Sequence, residues 1–86
     1  MNINKLIAIV KNKLETGIVI QNLRIEDKSF LHKNHKGNQE GMFHLKLIIK
    51  SEQLKKLNKI ESTKTIYTIL DHELKKNIHS IQILLN

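Results

Sequence analysis

Phe43-His44-Leu45-Lys46-Leu47-Ile48-Ile49-Lys50-Ser51 decides how this chain folds. Phe43, Leu45, Leu47 and Ile49 share one parity, and His44 and Lys46 share the other. A period of two with one apolar set is the signature of a strand that buries one face. Ser51 then offers an N-cap, and Glu52 places an acidic side chain in the first turn of a helix. The segment therefore reads as a half-buried strand with a polar face, leading straight into a short helix through Leu54 and Leu57.

Working outward, residues 3–14 read as a helix with Ile3, Leu6, Ile7, Val10 and Leu14 on one stripe, and Gly17 as its stop. Residues 18–26 are rich in Ile and Val and read as a strand. Val19, Leu23 and Ile25 share its parity, interrupted by Gln21. Residues 28–41 are polar, hold Gly37 and Gly41, and read as a loop. After the short helix, Ser62 or Thr63 can cap a longer one with the stripe Ile66, Ile69, Leu70 and Leu74. Asn77 suits a left-handed C′ position, followed by Ile78. The stretch 78–85 reads as a strand with Ile81, Ile83 and Leu85 on one face.

The order is helix, strand, strand, helix, helix, strand. The first two strands are expected to pair antiparallel across the 28–41 loop. The third needs a helical crossover and so lies parallel to one of them. The expectation is an α+β sandwich, a three-stranded mixed sheet with helices on one face, as one domain over 1–86.

Composition narrows the function. The net charge is +7, yet Arg24 is the only arginine among 15 basic residues. Lysines scattered in an Asn- and Ile-rich chain mainly solvate a surface, and the arginine geometry favoured for base edges is nearly missing. No apolar run reaches 18 residues, so no membrane helix is expected, and the N-terminus lacks the pattern of a secretory signal. The chain has no cysteine, which fits a reducing, cytoplasmic setting. It has five histidines, and four fall outside the predicted helices: His32, His35, His44 and His79. Imidazoles without thiolates can complete a metal centre that another protein supplies. His72, between Asp71 and Glu73, is expected to be exposed and inert.

The phrase Asp27-Lys28-Ser29-Phe30-Leu31-His32-Lys33-Asn34-His35-Lys36-Gly37 resembles the D-x-S-x-x-H-x-x-H-x-G segment of the BolA family. His44 to Ser51 resembles H-F-x-V-x-I-V-S, with Leu45 for the usual Phe. Ile66-Tyr67, Leu70, Glu73 and Leu74 resemble V-Y-x-x-L-x-x-E-L. Ile78-His79-Ser80-Ile81-Gln82-Ile83 resembles the ending I-H-A-L-x-I. The four pieces keep the family's order and spacing over essentially the whole chain. One departure is Ser62-Thr63-Lys64, where the family often has R-H-R.

The resemblance implies a class II KH-like fold without the G-x-x-G loop. Gly37 and Gly41 suit a turn rather than a phosphate cradle. It further implies a partner of monothiol glutaredoxins that shares a bridging [2Fe-2S] cluster, with thiolates from the partner and its glutathione, in iron–sulfur assembly or in iron and redox signalling. The chain would hold no tight cofactor when alone and would then be monomeric. Imidazole ligation of such a cluster has a physical precedent in Rieske centres. Read from the residues alone, His79 is a hydrogen-bonded side chain at a strand start. The resemblance makes it a ligand, with His32, then His44, then His35 as candidates for the second. A closed zinc site from all four lacks the usual cysteine.

Some relatives bind DNA, and the segment 52–76 loosely resembles a helix-turn-helix. Its turn falls at 58–61, with Lys55, Lys56, Lys59 and Lys64 as phosphate contacts. An enzyme is not expected. Ser29 near His32 lacks an orienting acid or an oxyanion hole, and suits a turn hydrogen bond.

Overall fold

The computed structural model describes residues 2–29 and 42–86. The elements run α1 (Ile3–Gly17), β1 (Asn22–Asp27), β2 (Phe43–Lys50), α2 (Glu52–Lys55), α3 (Lys59–Ile69), α4 (Asp71–Lys76) and β3 (Ile78–Leu85). The strands form one sheet in the order β1-β2-β3. β1 is antiparallel to β2, and β3 is parallel to it, as the crossover required.

Helices cover one face of the sheet. Leu45, Leu47 and Ile49 from β2 meet Leu6, Val10 and Leu14 of α1, together with Leu54, Ile66 and Leu70. All of these are at most 2% exposed. Of the stripe predicted for α1, Leu6, Val10 and Leu14 are buried, and Ile3 and Ile7 are half-buried. Asn2 caps this helix by accepting from the Lys5 backbone N–H at 2.8 Å. The helix runs one turn past residue 14, to Gly17, where a Cβ would come within 2.9 Å of the Ile69 Cδ1 atom.

Several boundaries differ from the sequence reading. The first strand begins at Asn22, not at residue 18, because Ile18 still closes α1 and Val19 is tied to the start of α2 instead. Ser51 Oγ donates to the Val19 carbonyl at 2.7 Å, and Gln53 Oε1 accepts from the Val19 N–H at 2.9 Å. Gln21 Oε1 accepts from the Glu52 N–H at 2.9 Å. Val19 consequently leaves the core face and is 66% exposed.

The long helix starts at Lys59, capped by Asn58, whose side chain accepts from the Glu61 N–H at 2.8 Å. Ser62 is no cap. It lies inside the helix, buried, and donates to the Lys59 carbonyl at 3.0 Å. The turn between α2 and α3 is therefore 56–58 rather than 58–61. The helix is also split at Leu70, where the backbone relaxes to φ −98° and ψ 14°. Thr65 and Thr68 donate to carbonyls four residues back, a bond that bends helices.

Asn77 is not left-handed, with φ −129° and ψ −19°. Its N–H closes α4 on the Glu73 carbonyl at 2.8 Å, and its carbonyl accepts from the Phe43 N–H at 2.9 Å. The chain thus passes from helix to strand without a reversing turn.

Ser51 links these parts. Its Oγ caps α2 by accepting from the Leu54 N–H at 3.2 Å while it holds Val19. Ser51→Ala removes both bonds and leaves the Leu54 N–H unpaired in a buried place. It is expected to cost about 2 kcal/mol and lower the melting temperature by roughly 10 °C in a thermal denaturation.

Candidate metal centre

The alternation of β2 sends His44, Lys46 and Ile48 to the face that carries no helix. Regular pairing would set His44 opposite His79, but the ladder skips a residue. Phe43 pairs with Ile78, and His44 pairs with Ser80, with an irregularity between Phe43 and His44. His79 is the extra residue of a β-bulge. A bulge re-aims side chains and is found next to functional sites. Here Ile78 and Ile81, three apart, both face the core, while His79 and Ser80 are both exposed.

The bulge brings two imidazoles together. The His44 and His79 ring centroids lie 5.0 Å apart, with planes tilted by 49°. His44 Nδ1 is 2.6 Å from Ser80 Oγ. The backbone of His44 is held on both sides, its N–H donating to Ser29 Oγ at 3.0 Å and its carbonyl accepting from the Lys28 N–H at 2.7 Å. Ser29 in turn donates its N–H to Asp27 Oδ1 at 2.9 Å, the turn bond expected of this segment.

His44 is on the predicted face but is not open to solvent; only 5% of it is exposed, because its ring is covered by neighbours on that face. His79 is exposed. His72 is exposed on α4, as expected. His32 and His35 lie outside the described residues. Among the described residues, no group of three or more His, Asp or Glu side chains could hold a metal ion. Among the described residues, the two rings stand together as a pair.

Lys28, His44, Lys46, Ser80 and Gln82, with Leu45 and Ile81, line a depression at the His44 ring. Glu26 neighbours it. The hydrogen bond from Lys28, reinforced by the charges of Lys28, Arg24 and Lys46, holds its carboxyl below the usual carboxylate range. Wider hollows lie elsewhere, along α3, where Ile60 is 80% and Tyr67 42% exposed between Lys59 and Lys64. Lys55, Lys56, Lys59 and Lys64 are all exposed.

The sequence reading marked Glu73 only as part of the family pattern and foresaw neither its burial nor its partner. It is 3% exposed, and Lys13 of α1 reaches both of its carboxylate oxygens at 2.9 Å. The signal was its position one residue before Leu74, on the edge of the apolar stripe.

The sequence pattern of the BolA-like protein family matches residues 14–86. This chain belongs to the BolA-like family. It is 30% identical over 75 residues to the DNA-binding transcriptional regulator BolA of Haemophilus influenzae, covering 87% of this chain and 70% of that protein. Among solved structures it is similar to the BolA domain of SufE1 from Arabidopsis thaliana, at 26% identity and a TM-score of 0.77 over 100% of this chain and 93% of that one. It is also similar to BolA1 from Arabidopsis thaliana, at 26% identity and a TM-score of 0.75, covering 92% and 87% of the two chains. A bol-like protein from Babesia bovis shares the fold, with a TM-score of 0.71 at 17% identity over 91% of this chain and 79% of that one. BolA-like proteins are not enzymes, and membership supports a general adaptor role in iron–sulfur biology or regulation.

Proposed function

We propose that this BolA-like chain is a cytoplasmic adaptor that binds a monothiol glutaredoxin and shares a bridging [2Fe-2S] cluster with it. One observation carries the reading: a β-bulge that aims an exposed imidazole alongside a second one in a chain with no thiolate of its own.

The donor set fits the group. Two imidazoles bound to one tetrahedral ion through metal–nitrogen bonds of about 2.1 Å have ring centres on the order of 5 Å apart. The His44 and His79 centroids are 5.0 Å apart. Nitrogen donors on one iron and thiolates on the other make a stable cluster type. His79 would be the first ligand and His44 the second. His32 and His35 remain the alternatives for the second place. When bound, the cluster supplies a redox-active iron–sulfur unit for transfer or signalling. This chain's part is to present nitrogen donors on a rigid strand pair and to leave the other iron to its partner.

The test is reconstitution. Mixed with a monothiol glutaredoxin, iron, sulfide and glutathione, the chain is expected to give a coloured heterodimer whose visible circular dichroism differs from that of the glutaredoxin homodimer. The chain alone should stay colourless and monomeric. A mixture whose spectrum equals the homodimer's would remove the shared-cluster reading.

A second reading, a DNA-binding regulator, is favoured by the name of the Haemophilus relative and by the four exposed lysines of the α2–α3 segment. Against it, α2 has four residues, a single turn, and the segment has no arginine. Specific binding would survive an excess of random DNA; charge-driven binding would not.

A further inference from the structure

We propose that the helix-free face of the sheet is the surface on which the glutaredoxin docks, through a patch of carboxylates set around an apolar side chain. The proposal rests on the glutaredoxin reading and extends it to the surface that receives the partner.

The register composes this face row by row. Arg24, Ile48 and Leu84 stand side by side across the three strands. Glu26, Lys46 and Gln82 form the next row, and Asn22 and Lys50 the one before. Ile48 and Leu84 are the exceptions among the apolar residues of the strands: all the others lie in the core or pack against it. Leu84 is 46% exposed. An apolar pair therefore sits in the middle of the face with charged side chains around it, which is the anatomy of a protein–protein interface.

The charges specify what fits. Glu26 is the one carboxylate of these rows, and Arg24 at 3.0 Å and Lys28 at 3.3 Å already flank it. Lys46 and Lys50 add two more cations. A second copy of this chain would bring the same positive charge and be repelled. A nucleic acid strand would want aromatic rings for its bases, and these rows hold none and a single arginine. An acidic protein surface satisfies both the cations and the apolar pair, and unlike charges speed and orient its approach. The face is also continuous with the candidate metal centre. Lys46 and Gln82 line the depression at the His44 ring, and β3 carries both Leu84 and His79. A partner seated on the sheet is thereby brought up to the imidazoles.

The experiment titrates the nitrogen-15-labelled chain with a metal-free monothiol glutaredoxin and reads backbone NMR shifts. They should cluster on Arg24, Lys46, Ile48, Gln82 and Leu84. The double variant Lys46→Glu, Lys50→Glu should weaken binding about tenfold and flatten its salt dependence. Leu84→Ala should weaken it about fivefold, the loss typical of an apolar residue at the centre of an interface. The variant Lys5→Glu, Lys11→Glu makes the same change of charge on α1, in the helix layer, and should bind like wild type. Thermal melts establish that each variant is folded. Shifts confined to the helix layer, or wild-type affinity in the sheet-face variants, would overturn the proposal. So would a random single-stranded oligonucleotide that shifts this face when the glutaredoxin does not. Reconstitution separates the two readings. If the face binds the glutaredoxin and no mixed cluster forms, cluster sharing falls and the docking face stands. If the sheet-face variants form the mixed cluster as readily as wild type, the docking face falls and cluster sharing stands.

Discussion

His79→Ala is expected to abolish the mixed-cluster spectrum while leaving the apoprotein as stable as wild type. His79 is exposed, with only the neighbouring His44 ring recorded against its own, so its removal should change stability by no more than about 0.5 kcal/mol. Its loss from a shared cluster is a different matter. Weakening a group that merely orients a ligand already costs about 10–100-fold in metal affinity, and deleting the ligand itself should cost at least that. The measurement pairs a thermal melt of the apoprotein with visible circular dichroism of the reconstituted mixture. His72→Ala, on the exposed side of α4, is the control and should match wild type in both. His32→Ala, His35→Ala and His44→Ala then assign the second donor by which of them shortens the cluster's lifetime. A mixed spectrum that persists in His79→Ala would discard His79 as a ligand.

The largest effect on stability is expected at Leu47→Ala. Leu47 is fully buried at the centre of the middle strand, between Ile25 on β1 and Ile83 on β3. Truncating a buried leucine removes its transfer energy and leaves a cavity that neighbours only partly fill, at a cost of about 3–4 kcal/mol. A domain of this size has on the order of 5–10 kcal/mol in all, so the melting temperature should fall by roughly 15–25 °C. Ile48→Ala, next along the strand but on the helix-free face, is half-buried and should cost less than half as much. Equal losses at the two positions would mean that the sheet is not one-sided as described.

The fold was legible where apolar residues repeat at a fixed period. The alternation of 43–50 and the stripe of α1 are packing requirements written one residue at a time, and both elements formed where expected. The start of β1 was not legible. Val19 continues the parity of Leu23 and Ile25, but hydrogen bonds from Ser51 and Gln53, over thirty residues away, draw it off the sheet. The first residue of α3 was misread because Asn58, Ser62 and Thr63 can all cap. Only the buried position of Ser62 in the fold chooses between them.

The site was half legible. The resemblance marked His79, with His32, then His44, then His35 as candidates beside it, yet it could not bring His79 and His44 together. That took the bulge, whose trace in the sequence is the three-residue step from Ile78 to Ile81 where the strand period demands two. The Lys13–Glu73 pair was hidden because its partners come from helices sixty residues apart.

Because the ladder skips His79, the sheet leaves open which residue stands there. Imidazole could give way to thiolate or carboxylate with Ile78 and Ile81 still seated in the interior. On the shared-cluster reading, a change of donor at this point leaves the packing of the sheet as it is, so a single codon would be enough to alter which metal such a scaffold prefers.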